Sequence, residues 1–569
     1  MRYPVPTLLA ALLATTLTLA AQTPARVFDV RTFGAKGDGT ALDTTAINAA
    51  IDAAAQAGGG TVWFGAGDYL SYSIHLKSHV ALYLDMGATI VAAEPSPDLT
   101  TGYDAPEPTT GTVPNVEYYE DFGHSHWHNS LIWGEDLTDI AITGPGRIFG
   151  KGLSRGSNRR DLLPEERARH AFKTTDVGGQ EKTAPNLALP PALREAILAQ
   201  KPGPFGYPGR DTLPAGVGNK SIALKNCRNV IFRDFTIYHG GHFAILATGV
   251  DNWTCDGLKI DTNRDGIDFD CCQNVRVANC TINSPYDDGI CPKASFGLGR
   301  LRPTENITIT NCQVSGYDEG TLLDGTRQRK VMTRPGTGRI KLGTEANGGF
   351  HNVTISNCVF EYCRGLALEE VDGGLLEDIT ISNLTMRDIG NAPIYVRLGA
   401  RLRGPGELAV GAARRIKIDN VVAHNVAAES GILLVGEPGH PIEDLSLTNI
   451  FIDFAGGGTK EQAAAEVPAF ERNRYPEPGL LGTMPSWGLF ARHVKNLDLG
   501  RVELRVAQTD FRPVIQLDHV DGVTFDQLKC APAAGTPTFV LKNVDGFAVH
   551  NSPGLTETNR RDAIADEKL

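Results

Sequence analysis

The stretch that decides the fold is FHNVTISNCVF, at residues 350–360. Apolar and polar residues alternate along it, an asparagine follows, and a second short apolar run completes the unit. Alternation with a period of two residues predicts strands, because neighbouring side chains of a strand point to opposite faces. Asparagine suits a tight bend between strands, since it tolerates the left-handed region of backbone conformation. The stretch therefore predicts two short strands joined at Asn357.

The same unit recurs along most of the chain. Copies lie at residues 225–237, 271–282, 304–314, 376–386, 413–423 and 442–452, and weaker copies continue towards residue 550. One unit cannot bury its apolar face alone, whereas stacked copies build a continuous core. The repeats therefore predict an all-β fold, a right-handed parallel β-helix that spans about residues 60–550.

Cysteine follows the bend asparagine in three of these units, at Cys280, Cys312 and Cys358. Ten cysteines are too few to form a disulfide framework in a chain of 569 residues. We favour buried thiols at equivalent positions of successive coils, and an occasional disulfide is the alternative.

The start of the chain departs from the repeat. Residues 1–21 contain a basic residue, an apolar run and then small residues, which is typical of a secretory signal peptide. Residues 44–57 have the apolar spacing of a helix, with Asp43 as its N-cap and Gly58 just past its end. We expect this helix to cap the open edge of the first coil.

One long insertion interrupts the repeats, at residues 151–218. It contains two short helical patterns among several prolines and glycines. Insertions in solenoid proteins fall on one face, often the binding face. We therefore predict a partly helical insertion within a single β-helix catalytic domain at 22–557, followed by a loose C-terminal tail at 558–569.

The charge of the chain argues against one class of partner. The formal net charge is −12, which does not suit a nucleic-acid-binding protein. Residues 327–341 nevertheless carry six basic side chains and no acidic one. Such a segment predicts a site for an anionic ligand, and a solvated basic loop is the alternative. No apolar run after the first 21 residues reaches membrane-spanning length, so we expect no membrane association.

Three aspartates give the strongest indication of chemistry. Asp265 lies in NRDGIDFD, and Asp287 and Asp288 begin DDGICPK. The separation of 22 residues between Asp265 and Asp287 is about one coil of a β-helix, so the three carboxylates should lie on one wall. Like charges held that close keep at least one carboxyl group protonated, as acid/base hydrolysis of a sugar acetal requires. A carboxylate ladder that caps turns or binds calcium is the alternative.

These segments together resemble glycoside hydrolase family 28, the polygalacturonases and rhamnogalacturonan hydrolases. The entrance segments at 33–51 and 58–70 are similar to those of several pectin-acting β-helix groups, so they indicate the fold more than the reaction. The more specific elements are NRDGID at 263–268 and the pair Asp287-Asp288, which resemble the family's Asn-Thr-Asp and Asp-Asp elements. Arg264 stands where the family usually has threonine.

The resemblance implies a role for each acidic residue. Asp287 would be the general acid that protonates the leaving glycosidic oxygen, while Asp265 and Asp288 would hold and deprotonate the attacking water. Asp268 would support the strand or orient a neighbour. The family inverts the anomeric configuration in a single displacement, and it needs no metal or cofactor. Lys293 matches a lysine that often follows the aspartate pair, so it could lower the pKa of a neighbouring carboxyl group or bind substrate.

Two elements that bind substrate in polygalacturonases differ in this chain. The segment Gly336-Thr337-Gly338 replaces the family's Gly-His-Gly, and acidic residues occupy the coil where the family has Arg-Ile-Lys. An Arg-Ile-Lys string occurs one coil earlier, where alternation would point Arg339 and Lys341 the same way. We therefore predict Arg339 and Lys341 as substrate-binding residues, with a solvated face as the alternative.

The remaining substrate-binding candidates are His242, Glu345 and Glu369. Glu345 and Glu369 would bind sugar hydroxyls or help to orient water, and turn-stabilising hydrogen bonds are the alternative. His242 lies about one coil before the first aspartate, where sugar contact and packing are both open. The run HSHWH at 124–128 could line a subsite or form a packed loop, and metal binding is a third possibility.

The sequence thus predicts an exported glycoside hydrolase that cleaves α-glycosidic bonds of a galacturonic-acid-containing pectic polysaccharide or oligosaccharide. The altered substrate-binding elements favour a rhamnogalacturonan-directed or exo-acting enzyme. We expect a monomer in the periplasm or outside the cell. The alternatives are a pectic polysaccharide lyase on the same fold, which would use calcium and a basic residue, and a noncatalytic β-helix that binds glycans.

Overall fold

The structure, a computed structural model, describes residues 26–96, 100–107, 122–154, 216–329, 335–404, 407–469 and 475–569. The predicted signal peptide and the two predicted helices of the long insertion lie outside these residues. Across the described ranges, no helix is long and apolar enough to cross a membrane.

Most of the described chain forms strands. In the first half they are β1 (Val27–Asp29), β2 (Asp38–Leu42), β3 (Gly60–Phe64), β4 (Gly67–Ser71), β5 (Ile74–His75), β6 (Val80–Leu84), β7 (Ala88–Ala92), β8 (Ile132–Glu135), β9 (Thr138–Thr143), β10 (Arg147–Phe149), β11 (Lys220–Lys225), β12 (Arg228–Arg233), β13 (Thr236–Tyr238), β14 (Phe243–Thr248), β15 (Asp251–Asp256), β16 (Lys259–Asp261), β17 (Asp265–Asp270), β18 (Gln273–Ala278) and β19 (Thr281–Asn283). In the second half they are β20 (Ile290–Lys293), β21 (Thr304–Thr310), β22 (Gln313–Ser315), β23 (Lys341–Leu342), β24 (Phe350–Glu361), β25 (Leu366–Glu370), β26 (Leu375–Ile389), β27 (Ile394–Leu398), β28 (Ala412–Val426), β29 (Ile432–Val435), β30 (Ile442–Gly456), β31 (Leu489–Gln508), β32 (Ile515–Asp526), β33 (Phe539–His550), β34 (Thr558–Arg560) and β35 (Ile564–Lys568).

Helices are few among the described residues. They are α1 (Thr44–Gln56), α2 (Phe122–Ser125) and α3 (Lys460–Ala463), with 3₁₀ turns at Val30–Phe33 and Pro478–Leu481.

The strands stack into three parallel columns, which confirms the predicted parallel β-helix. The first column contains β5, β8, β11, β14, β17 and β20, and a bridge between Ile290 and Ile340 continues it towards β23, β25, β27 and β29. The second column runs from β3 to β21 and into the first half of β24. The third runs from β4 to β22 and into the second half of β24.

Asparagine forms the bends, as predicted. Asn279, Asn311 and Asn357 have φ angles of 55–56°, in the left-handed region. Their side chains also stack, because the amide of Asn311 donates to Asn279 and that of Asn357 donates to Asn311, each at 3.2 Å. These bonds fix the register of successive coils. The cysteines that follow are buried, and all ten cysteines of the chain are free thiols.

The N-terminal helix caps the first coil, as predicted. Ile47 and Ile51 are fully buried against the core, and the helix ends at Gln56. Asp43 occupies the N-cap position but does not cap the helix with its side chain. Its carboxylate instead accepts hydrogen bonds from the backbone N–H groups of residues 36 and 37, at 2.6 and 3.0 Å, so it holds the preceding loop.

The prediction of a loose C-terminal tail at 558–569 is wrong. Strands β34 and β35 pair antiparallel with β33, and Ile564 is buried. The last coil of a solenoid leaves backbone groups of its final strand without a partner. The tail satisfies them by folding back, and it covers an edge that would otherwise invite aggregation.

Candidate active site

The three predicted aspartates meet in the first column, where β17 lies beside β20. Ile267 pairs with Ile290, so one coil has 23 residues here and Asp288 is the neighbour of Asp265. We call Asp265, Asp287 and Asp288 the acid site. One carboxylate oxygen of each lies within 4.8 Å of the other two. The register of the coils therefore brings these residues together on one wall, as predicted.

The turn that carries Asp287 is held by its neighbours. The hydroxyl of Ser284 donates to the carbonyl oxygen of Asp287 at 2.9 Å, and the N–H of Gly338 donates to the same oxygen at 2.9 Å. In addition, the N–H of Gly289 donates to the carbonyl oxygen of Arg339 at 2.8 Å. The next coil therefore fixes the backbone that positions Asp287.

Exposure separates the three carboxylates. The side chain of Asp287 is 24% exposed, whereas those of Asp265 and Asp288 are 5% and 1% exposed. Burial, together with the charges of Asp287 and Asp268, raises the pKa of Asp265 well above its ordinary value. Asp265 is thus the member of the acid site that the surroundings keep protonated, and Asp287 is the member that a ligand in solvent can reach.

Asp287 has a cationic neighbour. The guanidinium of Arg264 lies 2.7 Å from Asp287 and 3.8 Å from Asp265. An opposite charge this close favours the charged form of a carboxyl group. The residue that departs from the family's usual threonine therefore acts directly on the predicted general acid.

Asp288 is held between two buried cations. Arg339 Nε donates to one carboxylate oxygen at 2.9 Å, and Lys341 Nζ lies 2.5 Å from the other. Although burial opposes it, the Asp288 charge raises the pKa of Lys341 well above its ordinary value. The alternative of a solvated face is wrong, since Arg339 and Lys341 are 1% and 2% exposed. Both side chains belong to the acid site, while their contact with substrate stays a prediction.

A second layer of charges adjoins the acid site. Lys293 Nζ lies 2.8 Å from Glu345 and 3.6 Å from Asp268. Arg403 also pairs with Glu345, and Arg401 lies 3.7 Å from it. Although burial opposes them, these cations hold the pKa of Glu345 well below its ordinary value. Lys293 and Glu345 are thus engaged with each other, and sugar binding by either stays a prediction.

Glu369 is a buried acid next to Arg339. It lies in β25 with no exposed surface, and the Arg339 guanidinium is 3.6 Å from its carboxylate. Within the described part of the chain, neither carboxylate oxygen of Glu369 has a hydrogen-bond partner. Burial raises the pKa of Glu369 to about 7. A group in this state would exchange its proton near neutral pH.

Two histidines of the sequence analysis, His242 and His124, both pack on Phe243 of β14. The rings of His242 and His124 contact Phe243, with centroid distances of 4.5 and 4.7 Å. His124 Nε2 also lies 3.7 Å from Asp268. The run at 124–128 is not an alternating strand, because α2 includes its first two residues. The structure therefore gives His242 a packing contact and brings His124 near the second layer of charges.

The basic segment 327–341 does not form a single surface within the described residues. Arg327 lies 3.4 Å from Glu361, and Arg329 lies 2.8 Å from Asp388. The last two basic side chains of the segment turn inward to the acid site, and two others lie outside the described residues. Among the described residues, the predicted anion site is therefore confined to Arg339 and Lys341. Surface carboxylates pair with Arg327 and Arg329.

The acid site could hold a cation on distance alone, since its oxygens lie within 4.8 Å of one another. Oxygen donors of this kind suit calcium. However, Arg264 already pairs with Asp287, and Arg339 and Lys341 pair with Asp288. Two of the three carboxylates are thus neutralised by protein cations, which fits hydrolytic acids better than a calcium cage.

Two family models match parts of the chain. Residues 27–113 match the model described as rhamnogalacturonase A/epimerase, pectate lyase-like. Residues 215–334 match the model of a right-handed β-helix region, which confirms the predicted hand of the fold.

Named relatives match longer parts. An exo-poly-alpha-D-galacturonosidase of Dickeya chrysanthemi is 24% identical over 410 residues, which are 66% of this chain and 64% of that protein. A probable polygalacturonase of Vitis vinifera is 23% identical over 480 residues, which are 80% of each chain. The solved exopolygalacturonase of Thermotoga maritima has a TM-score of 0.55 at 20% identity and covers 76% of this chain and 88% of its own. The resemblance to glycoside hydrolase family 28 is confirmed. These relatives are named as glycoside hydrolases, which is the predicted enzyme class. The chain spans somewhat less than two thirds of the length of the Dickeya protein.

Sequence reasoning missed part of this site. Tyr475 and Glu477 come from the connection between β30 and β31, far along the chain from the aspartates. Tyr475 Oη lies 3.3 Å from Lys341 Nζ, and Glu477 pairs with Arg339 and with Arg364. The one available signal is the gap in the strand repeat between residues 456 and 489. The length of this gap predicts a long loop, but the sequence of the loop does not indicate which part of the β-helix it contacts.

Replacing Glu369 with glutamine should make stability less dependent on pH. Since burial raises the pKa of Glu369 from the ordinary 4.5 to about 7, the folded protein keeps a proton that the unfolded chain releases. The stability from this group is therefore present below about pH 4.5 and is lost as the pH rises through about 7. Glu369→Gln should show a smaller fall in melting temperature between about pH 5 and about pH 8 than the wild type.

The matched control for this experiment is Glu443→Gln. Glu443 is a partly exposed glutamate of β30, and its variant should keep the wild-type pH dependence. An unchanged fall in melting temperature in Glu369→Gln would contradict a proton held at this residue.

Proposed function

We propose that this chain is an exported, exo-acting glycoside hydrolase that cleaves an α-glycosidic bond of a galacturonic-acid-containing pectic glycan with inversion. The observation that carries the proposal is the acid site, in which one partly exposed and two buried aspartates have oxygens within 4.8 Å of one another. Such a site can supply both an acid and a water-activating base to one sugar acetal. The names of the relatives support the pectic substrate, and those of the Dickeya and Thermotoga proteins support exo action.

The environment of each carboxylate supports a division of roles. Asp287 can reach a glycosidic oxygen because it is partly exposed, so we assign it as the general acid. The two cations on Asp288 fix the position of its carboxylate, which suits a group that orients and deprotonates water. Asp265 adjoins both residues, and because its surroundings favour the protonated form it would help to orient the water that Asp288 deprotonates. The proton that leaves this water compensates the proton that Asp287 gives to the leaving group.

The spacing of the acids bears on the stereochemistry. An inverting pair usually lies roughly 6.5–9.5 Å apart, with water between the two carboxyl groups. The oxygens of the acid site are closer than that. Water would therefore bind beside the Asp265–Asp288 pair rather than between acid and base. The inverting outcome rests on the family resemblance, and product stereochemistry is the measurement that decides it.

Product analysis of a pectic polymer tests the proposed reaction. Proton NMR should show the β-anomer as the first product of an α-linked substrate, and chromatography should show short products from the start. Early mid-length oligosaccharides would contradict exo action, and an α-anomer would contradict inversion. An ultraviolet-absorbing product whose formation a chelator stops would indicate a lyase instead.

Asp287→Asn should lower kcat by about 10²–10⁴-fold, because the variant cannot protonate the leaving oxygen. Asp256→Asn is the matched control, since Asp256 lies at the surface in β15, away from the acid site, and asparagine can still accept its hydrogen bond from Asn279. Its kcat should equal that of the wild type. Unchanged turnover in Asp287→Asn would remove this residue from the mechanism.

Arg264→Thr should shift the alkaline limb of the pH profile of kcat/KM upward. The guanidinium favours the charged carboxylate of Asp287, and its removal lets the acid keep its proton to higher pH. Arg276→Thr, at an exposed position of β18, serves as the control and should leave the profile in place. If the alkaline limb does not move in Arg264→Thr, another group titrates there.

A further inference from the structure

A short segment from a distant connection crosses to the acid site. We call residues Tyr475–Glu477 the strap. The Glu477 carboxylate lies 2.5 Å from Arg339 and 3.0 Å from Arg364, and its side chain is 19% exposed. Arg339 therefore pairs with Asp288 of the acid site and with Glu477 of the strap, and Glu369 lies 3.6 Å from it.

The strap is anchored by packing. The hydroxyl of Tyr395 donates to the carbonyl oxygen of Pro476. After the strap, Leu481 and Met484 are buried in an apolar cluster that includes Tyr395 and Phe490. The N–H of Met484 also donates to the carbonyl oxygen of residue 429 at 2.9 Å. Because these contacts lie on both sides of Glu477, its carboxylate is a fixed part of the site.

The cations next to the acid site are balanced by protein carboxylates. Lys341 pairs with Asp288, and Arg339 pairs with Asp288 and with Glu477. Although burial opposes them, Arg339 and Arg364 lower the pKa of Glu477 to about 2. The strap carboxylate is therefore charged at any pH used for assay. A sugar carboxylate brought to these arginines would meet a negative charge already in its place.

We propose that Glu477 determines specificity: its carboxylate replaces a sugar carboxylate on Arg339 and Arg364, so the subsite beside the strap binds an uncharged sugar and rejects an acidic one. This inference rests on the proposed function and names its substrate class more closely. The glycan would carry a neutral sugar on the strap side of the scissile bond and galacturonate on the other side. Selection by repulsion of the wrong ligand is a general route to specificity.

Binding of two monosaccharides tests the proposal. Galactose and galacturonate differ only at C6, which carries a hydroxymethyl group in one and a carboxylate in the other. Calorimetry should show that the wild type binds galactose more tightly than galacturonate. Glu477→Gln removes the carboxylate that Arg339 and Arg364 share, so its galacturonate affinity should rise by about tenfold or more, while its galactose affinity changes little.

The matched control is Glu466→Gln. Glu466 lies in the same connection but is exposed, and its variant should bind both sugars as the wild type does. A melting curve of Glu477→Gln shows whether the variant is folded at the assay temperature. Arg364→Gln supplies a second variant, because it keeps Glu477 but removes one arginine and should not gain galacturonate affinity.

Three outcomes would overturn the proposal. The first is a wild type that prefers galacturonate. The second is a folded Glu477→Gln variant that loses affinity for both sugars equally, and the third is that neither the wild type nor any variant binds either sugar. These measurements do not depend on hydrolysis. A wild type that prefers galactose but cleaves no pectic glycan would refute the proposed function and leave the role of Glu477 standing.

Discussion

The site depends on one buried charge arrangement, the Asp288 carboxylate held by Arg339 and Lys341. Burying an ion costs several kcal/mol unless partners of opposite charge compensate it. Here one carboxylate meets two cations, and the surplus positive charge is balanced in turn by Glu477 and the neighbouring acids. Removal of any member leaves an uncompensated buried charge. The arrangement therefore holds its geometry, and it decides which further charge the site will accept.

The β-helix supplies the rigidity that this arrangement requires. Asp265 belongs to one strand and Asp288 precedes the next, and the parallel ladder sets their separation. Stacked asparagine bends between the second and third columns keep successive coils in register. Sites built on regular strands are held more accurately than sites on loops. Asp287 and Asp288 lie in the turn before β20, and that turn is fixed by hydrogen bonds from Gly338 and Ser284 to the carbonyl oxygen of Asp287.

Charge balance also distinguishes this site from a simple anion-binding surface. A basic segment in an acidic chain looks like a site for an anionic ligand when only the sequence is considered. In the folded protein Arg327 and Arg329 pair with surface carboxylates, and the buried Arg339 pairs with Asp288 and Glu477. The bond-breaking groups and the recognition groups are thus parts of one electrostatic network. A change in substrate charge would have to change that network.

The sequence by itself determined the solenoid, the capping helix and the meeting of the three aspartates, because each follows from local periodicity and the length of one coil. It did not determine that the tail pairs with β33, since a free strand edge exists only once the last coil has formed. It also did not reveal Glu477, because almost two hundred residues separate it from Asp288 and no repeat links them. Which cation neutralises which acid was decided only by tertiary structure. Ion pairing depends on distances of a few ångströms in three dimensions, and sequence spacing fixes such distances only within one regular ladder.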